Sequence, residues 1–100
     1  PQAGLAKGVV RAGGALPERG RARIAFTRHA LERMERYRIS VSEVLEALAE
    51  PDEVVPGYLG RLVAHKYRGA YVLRVIYEKR GKDIIVVTVY RARRERYERR

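Results

Sequence analysis

The residues of this sequence that could carry chemistry are basic and aromatic, and they are concentrated in its second half. Arginine binds phosphate oxygens through its planar fork of N–H donors, and tyrosine can stack on a nucleobase. Histidine is the side chain best suited to moving a proton near neutral pH. The candidates are His65, Lys66, Tyr67, Arg74, Arg91, Arg93, Arg94 and Tyr97. Their types predict a phosphate clamp with an aromatic platform for a base.

Several other chemistries are excluded or not expected. The chain has no cysteine, which rules out disulfides, thiolate catalysis and Cys-based zinc sites. It has only two histidines, His29 and His65, so we predict no metal site and no cofactor. No phosphate-cradling glycine loop, serine elbow or carboxylate pair is found. The longest apolar run, residues 84–90, is too short to span a membrane, and no secretory signal is visible, so we expect a cytoplasmic protein without a membrane partner.

The positive charge is unevenly distributed along the chain. The net charge is +10, yet residues 27–53 hold four basic and seven acidic side chains. Residues 61–82 hold seven basic and one acidic, and the last ten residues hold six arginines and two glutamates. The composition is also typical of a thermophile, whose surface would mix charges of both signs. Segregation favours instead a face that binds a polyanion by counterion release.

Turn, capping and periodicity signals divide the rest of the chain. Thr27 is a plausible N-cap for a helix that ends near Tyr37, and Ser40 with Glu43 forms a capping box for a second helix that Pro51 ends. Alternating or apolar runs predict strands at residues 21–26, 61–68, 71–78 and 83–91. The last run is continuously apolar from residue 84 to residue 87 and should be central in the sheet.

The predicted fold is therefore α+β, in the order β-α-α-β-β-β. Two helices pack on one face of a small, mostly antiparallel, four-stranded sheet. Residues 21–100 form this domain. Residues 1–20 are rich in Gly and Ala without a sustained period, and we interpret them as an N-terminal extension, either flexible or docked on a partner.

Strand alternation sorts the candidate side chains by face. His65 and Tyr67 share one face of their strand, and Lys66 lies on the other. Arg74 lies on the same face as the apolar residues Val72 and Ile76. An arginine in that setting needs an anionic ligand or a structural salt bridge, and the sequence leaves both readings open. Two interpretations are also open for the arginines from Arg91 onward, which with Tyr97 form either a phosphate clamp or a tail without fixed structure.

The segment from Tyr71 to Tyr97 resembles the C-terminal half of RelE/ParE-superfamily toxins. Those proteins typically show an Arg-x-x-Tyr strand, a hairpin, a long apolar strand ending in Arg, and a Tyr shortly beyond. The matching residues are Arg74 with Tyr77, residues 84–89, Arg91 and Tyr97. The segment FTRHALERMERYRISVSEVLEALAEPDEVV is similar to uncharacterised small domains assigned to that superfamily, and YRARRERY resembles the end of BrnT toxins. The resemblance covers residues 22–97, including the order of elements.

The resemblance implies a toxin-like RNA-binding protein. RelE-type ribonucleases cut mRNA in the ribosomal A site without metal, by attack of the 2′-hydroxyl on the adjacent phosphate. By this resemblance Arg74 and Arg91 stabilise the phosphorane and Tyr97 stacks on or orients the nucleotide. The two lysines of the RelE pattern fall at about His65 and Tyr67, so that His65 would replace lysine in proton transfer. His29 is a second candidate for this role, with capping or packing as its alternative.

Several partners and one other function class follow from this hypothesis. The partners would be RNA or the ribosome, together with an acidic antitoxin-like protein that covers the basic surface. The alternative is a non-catalytic toxin-fold module that binds nucleic acid or a protein, since ParE-like relatives act on gyrase. A homo-oligomer in which the N-terminal extension docks on a neighbouring copy is a third hypothesis.

Overall fold

Two helices and six strands build the fold, and local signals in the sequence account for most of their limits. The structure is a computed structural model that describes residues 9–11 and 23–97. The strands are β1 (Val9–Arg11), β2 (Ile24–Thr27), β3 (Glu53–Pro56), β4 (Leu62–Arg68), β5 (Tyr71–Arg80) and β6 (Asp83–Arg93). The helices are α1 (Arg28–Tyr37) and α2 (Val41–Ala49), and short 3₁₀ turns cover Tyr58–Gly60 and Arg94–Arg96.

Both helices begin at the predicted capping residues. The Thr27 hydroxyl accepts a hydrogen bond from the Ala30 amide at 3.0 Å. The Ser40 hydroxyl accepts from the Glu43 amide at 3.1 Å, and the Glu43 carboxylate accepts from the Ser40 amide at 3.2 Å, which confirms the capping box. No helix in the described part of the chain is long and apolar enough to cross a membrane.

The strands form one mixed sheet in the order β1-β2-β6-β5-β4-β3. Strands β2 and β6 run parallel, and all other neighbouring strands are antiparallel. Strand β6 lies between β2 and β5 and is therefore central in the sheet, as predicted. The α+β class is confirmed, but the prediction of four strands is wrong. Residues 23–97 contain five strands, because β3 adds to the edge of β4, and β1, at residues 9–11, adds a sixth strand beside β2. A four-residue strand that ends at Pro56 is too short to show an alternating pattern.

The predicted N-terminal extension, residues 1–20, lies largely outside the described residues. Its described part is β1, whose backbone pairs antiparallel with β2 from Val9 opposite Thr27 to Arg11 opposite Ala25. Nothing tests the predicted division at residue 20.

The two faces of the sheet have different neighbours. Helices α1 and α2 pack against one face, the helix face, through Ala30, Met34, Val44 and Ala47, which lie in one buried cluster with Phe26, Val75, Val86 and Val89. The other face, called the open face, carries Val63, His65, Val72, Arg74 and Tyr90. It follows from strand alternation that these residues lie opposite the cluster, since each is adjacent in sequence to a helix-face residue.

A β-bulge in β6 decides which of its residues reach the open face. Tyr77 pairs with Val86, whereas the preceding residue, Ile76, pairs with Thr88, so Val87 is an extra residue. One extra residue reverses the facing of everything beyond it. Tyr90 therefore lies on the open face, and Arg91 lies on the helix face.

Candidate functional site

Arg74 is the centre of a polar cluster on the open face. Its Nε donates to Nε2 of His65 at 3.0 Å, and its Nη1 donates to the hydroxyls of Tyr90 and, at 3.3 Å, of Tyr97. The guanidinium carbon lies 4.3 Å from the centroid of the Tyr97 ring and 5.3 Å from that of Tyr90. No ion pair found within residues 23–97 includes Arg74. Its charge is held by neutral acceptors and aromatic rings.

His65 is fixed between an anion and a cation. The residue is 2% exposed, and its Nδ1 lies 2.9 Å from Oε2 of Glu53. Because Arg74 Nε can only donate, Nε2 of His65 must accept, and the remaining proton is on Nδ1 and is donated to Glu53. In this arrangement the lone pair of His65 is occupied. His65 thus positions Arg74, and it can accept a proton only when Arg74 Nε moves away.

The strand register places these groups side by side. Glu53 lies directly opposite His65, His65 opposite Arg74, and Arg74 opposite Tyr90, which gives one row across β3, β4, β5 and β6. Directly opposed side chains in antiparallel strands are close enough to interact. We call these four residues the cross-strand row. It is produced by pairing alone and needs no special loop.

The chain after β6 turns back and adds Tyr97 to the cross-strand row. The Arg94 amide donates to the carbonyl of Ala70 at 2.9 Å, and the Tyr97 amide closes the 3₁₀ turn on the carbonyl of Arg94 at 2.9 Å. The Tyr97 ring then packs edge-on against His65, with centroids 5.4 Å apart. From Arg94 to Tyr97 the arginine-rich end is therefore held against the sheet by these contacts and is not a tail without fixed structure.

Tyr67 extends the aromatic surface on the other side of His65. Its hydroxyl donates to Oε2 of Glu53 at 2.9 Å, and its ring centroid is 6.3 Å from that of His65. The Arg94 guanidinium carbon lies 4.4 Å from the Tyr67 centroid. The result is an aromatic series, Tyr67–His65–Tyr97, with one arginine beside each tyrosine.

Arg91 does not join this cluster. It lies directly opposite Leu73, on the helix face, where it donates to the carbonyls of Tyr37 at 2.8 Å and Arg38 at 3.3 Å. Glu43 of α2 lies 3.9 Å from it. The predicted clamp of Arg74 with Arg91 on one phosphate is not formed, because the bulge turns the two side chains to opposite faces.

Three further candidates also lie apart from the cluster. Lys66 is on the helix face and donates to the Glu50 carbonyl at 2.7 Å. Arg93 is exposed and lies 3.6 Å from Glu95. His29 is exposed on the first turn of α1. Within residues 23–97 no hydrogen bond or ion pair joins any of these three to Arg74. Of the predicted site residues, the structure brings together His65, Tyr67, Arg74, Arg94 and Tyr97.

Two residues of the site, Glu53 and Tyr90, were not predicted from the sequence. Glu53 belongs to β3, which was not predicted, and its role depends on lying opposite His65. Tyr90 is part of a long apolar run whose facing depends on the bulge at Val87. Neither pairing has a local sequence signal.

The site contains donors for an anion and no ligand set for a metal. Among the described residues, no group of three His, Asp or Glu side chains is placed to hold a metal ion. Arg74 and Arg94 supply N–H donors, and Tyr67 and Tyr97 supply partly exposed rings. Such a set can bind a phosphate and stack a base.

The family comparison identifies the chain without assigning an activity. Searches of curated proteins and of solved structures each gave no match. The model of the family described as "Domain of unknown function (DUF4258)" matches residues 26–91, from the second half of β2 through most of β6. The match covers more than half of the 100 residues. The chain therefore belongs to the DUF4258 family.

Proposed function

We propose that this protein is a toxin-like RNA-binding protein of the cytoplasm that binds single-stranded RNA on the open face. One observation carries the proposal. Arg74, in the middle of a sheet strand, is held by a histidine and two tyrosine hydroxyls and has no carboxylate partner within residues 23–97. The alternative for Arg74 was a structural salt bridge, and the hydrogen bonds of Arg74 favour an anionic ligand instead.

An arginine held in this way is suited to a phosphate. Its planar fork recognises phosphate oxygens through charge-assisted hydrogen bonds, each stronger than a neutral one. Nε and Nη1 are fixed by His65, Tyr90 and Tyr97, and Nη2 makes no hydrogen bond within the described residues. Because the guanidinium is already oriented, little side-chain entropy is lost on binding.

The aromatic rings favour a single strand over a duplex. Tyr67 and Tyr97 flank His65 and are both partly exposed. Bases of a single strand can stack on such rings, and each stacked base contributes about 1–3 kcal/mol whatever its identity. Arg94 beside Tyr67 and the excess of basic residues in 61–82 add the sequence-independent attraction to the backbone.

A metal-independent, ribosome-associated mRNA endonuclease of a toxin–antitoxin pair is a second candidate function. The observation that favours it is the contact of His65, Arg74 and Tyr97 within one cluster. In this reaction the 2′-oxygen attacks the adjacent phosphorus, and the 5′-oxygen of the next nucleotide leaves and takes a proton from water, which gives a 2′,3′-cyclic phosphate and a 5′-hydroxyl. Arg74 would stabilise the charge on the phosphorus oxygens, and His65 would take the 2′-hydroxyl proton once Arg74 Nε has moved onto the phosphate.

RNA binding is tested by comparing two arginines on opposite faces. Arg74→Gln removes the side chain that we propose binds the phosphate. Arg68→Gln removes an equal charge on the helix face, where Arg68 contacts Glu46 of α2. Fluorescence anisotropy with a labelled single-stranded RNA of twelve nucleotides measures the affinity. We expect Arg74→Gln to weaken binding about 10- to 100-fold, the size of one charge-assisted contact, and Arg68→Gln less than about threefold. Equal losses would overturn the proposal.

Cleavage is tested in two separate assays, one with the same free RNA in EDTA, which removes divalent metal ions, and one with mRNA on ribosomes in a buffer that keeps the Mg²⁺ they need. Products that depend on Arg74 and on His65 would establish the endonuclease. RNA affinity without products would leave the non-catalytic binding module. If RNA does not bind at all, the remaining hypothesis is a module for a protein partner, such as an acidic antitoxin-like segment, which a pull-down with such a segment would then examine.

A further inference from the structure

A basic pocket lies between α1 and β6, beside the cluster around Arg74. Its volume is about 330 Å³, within the range of pockets that bind small molecules. The lining consists of Arg33 and Tyr37 from α1 and Tyr90 and Arg91 from β6. Two of these four residues are cations, two are phenols and none is acidic.

Arg33 lacks a partner for a buried donor. Its Nε is buried and has no hydrogen-bond acceptor within the described residues. A buried donor without an acceptor costs free energy, and an anion bound beside it would supply the acceptor. No ion pair of residues 23–97 includes Arg33, so its charge is also unmatched there.

Tyr37 is surrounded by cations. The guanidinium carbons of Arg33 and Arg36 lie 5.6 Å and 5.9 Å from the centroid of its ring. Hydrogen bonding from Arg33 and then Arg36 lowers the pKa of the Tyr37 hydroxyl below its usual value. A phenol in this field has an environment that favours negative charge.

Arg91 holds the pocket in shape. Its two bonds to the carbonyls of Tyr37 and Arg38 join the end of α1 to β6, and Glu43 at 3.9 Å partly offsets its charge. Tyr90 connects the pocket to the open face, because its hydroxyl accepts a hydrogen bond from Arg74. The pocket and the cluster around Arg74 thus share one residue.

We propose that this pocket binds the phosphate of a nucleotide, with Arg33 as its principal ligand and the Tyr37 and Tyr90 rings beside the sugar or base. The phosphate belongs either to a free nucleoside monophosphate or to the next nucleotide of an RNA strand that leaves the open face past Tyr90. The first source is independent of the proposed RNA binding, and the second rests on it.

The test uses the full chain and three probes, uridine 5′-monophosphate, uridine and the twelve-nucleotide RNA. Arg33→Gln removes the arginine that we propose binds the phosphate. Arg28 is exposed on the same helix, and Arg28→Gln removes an equal charge outside the pocket. Calorimetry measures affinity, and amide chemical shifts of the wild-type protein locate each probe without relying on a variant. Thermal melting confirms that both variants fold.

If the source is a free nucleotide, the monophosphate binds and uridine does not. It shifts amides of the four lining residues, and Arg33→Gln weakens it about tenfold while Arg28→Gln does not. If the source is RNA, the monophosphate shifts nothing, and RNA affinity falls about tenfold for Arg33→Gln only. The proposal would be overturned if Arg33→Gln and Arg28→Gln weakened binding equally, or if every probe shifted amides only outside the pocket. A pocket confirmed by the monophosphate would stand even if Arg74→Gln left RNA affinity unchanged.

Discussion

Cations on the helix face of the sheet lie beside carboxylates of α2, whereas Arg74 on the open face lies beside neutral acceptors. Arg68 and Lys66 contact Glu46, and Arg91 lies near Glu43. The acidic side of α2 therefore faces part of the basic surface. The excess charge of residues 61–82 is thus partly neutralised within the fold, by Glu46 on the helix face and by Glu78 on the open face, which pairs with Arg61 and Arg80. Arg74 has no such carboxylate within residues 23–97.

Under the proposed function, this difference assigns stability mainly to one face and binding to the other. The helix face contains the apolar cluster and exposed ion pairs, which individually contribute little. The open face contains a buried histidine, an arginine without a carboxylate partner in the described residues, and aromatic rings at its surface. We expect substitutions in the apolar cluster to alter mainly the free energy of unfolding, and those of Arg74 itself to alter mainly RNA affinity.

The largest expected effect on stability is on the helix face. Phe26→Ala removes a ring that is 1% exposed and leaves a cavity, which should lower the free energy of unfolding by about 3–5 kcal/mol. Tyr97→Ala on the open face should lower it by about 1 kcal/mol, the size of an aromatic contact. Urea denaturation of both variants measures the two values. Similar losses would contradict the division between the faces.

A second comparison uses two glutamates of similar exposure. The side chains of Glu53 and Glu46 are 41% and 43% exposed, but Glu53 accepts from buried His65 and Glu46 pairs with surface cations. Glu53→Ala should cost about 1–3 kcal/mol because the buried Nδ1 donor loses its acceptor. Glu46→Ala should cost no more than about 1 kcal/mol. Urea midpoints decide this, and a larger loss for Glu46→Ala would show that the helix-face pairs matter more than the cross-strand row.

The smallest expected effect concerns pH. Hydrogen bonds from Arg61 and then Arg80 lower the pKa of Glu78 below its ordinary value of 4.5. A carboxyl whose pKa is depressed in the folded state stabilises the fold above its unfolded pKa, and this contribution is lost as the pH falls through the folded pKa. Glu78→Gln should therefore lower the Tm slightly at pH 7 and have less effect near pH 3.

The measurement for Glu78 is a series of thermal melts between pH 7 and pH 3. Glu35→Gln on α1 is the control, because no hydrogen bond or ion pair of its side chain is found within residues 23–97. An equal Tm difference between Glu78→Gln and wild type at both ends of the range would show that the ion pairs do not contribute through titration.

Much of the fold could be predicted because its signals are local. The hydroxyl of Thr27 and the Ser40–Glu43 pair mark helix starts within four residues, and the long strands alternate visibly. The same alternation correctly placed His65 and Tyr67 on one face and Lys66 on the other. These outcomes depend on the period of a single element and not on its neighbours.

The remaining features depend on how elements pair. A continuous hairpin register between β5 and β6 would have placed Arg91 opposite Val72 and therefore on the open face with Arg74. The extra residue Val87 instead places Tyr90 there and turns Arg91 toward α1. Strand β3 was missed for a related reason, since its four residues are recognisable only by pairing with β4.

The sequence by itself determined the two helix starts, the long strands, the α+β class and the excess of basic residues in the second half. Tertiary structure decided which basic residues are neutralised by α2, which reach the open face, and that Glu53 and Tyr90 complete the row through His65 and Arg74. The physical reason is the distance along the chain over which each interaction acts. Capping and alternation act over a few neighbouring residues, whereas register and bulges are fixed by packing between strands that are distant in the chain.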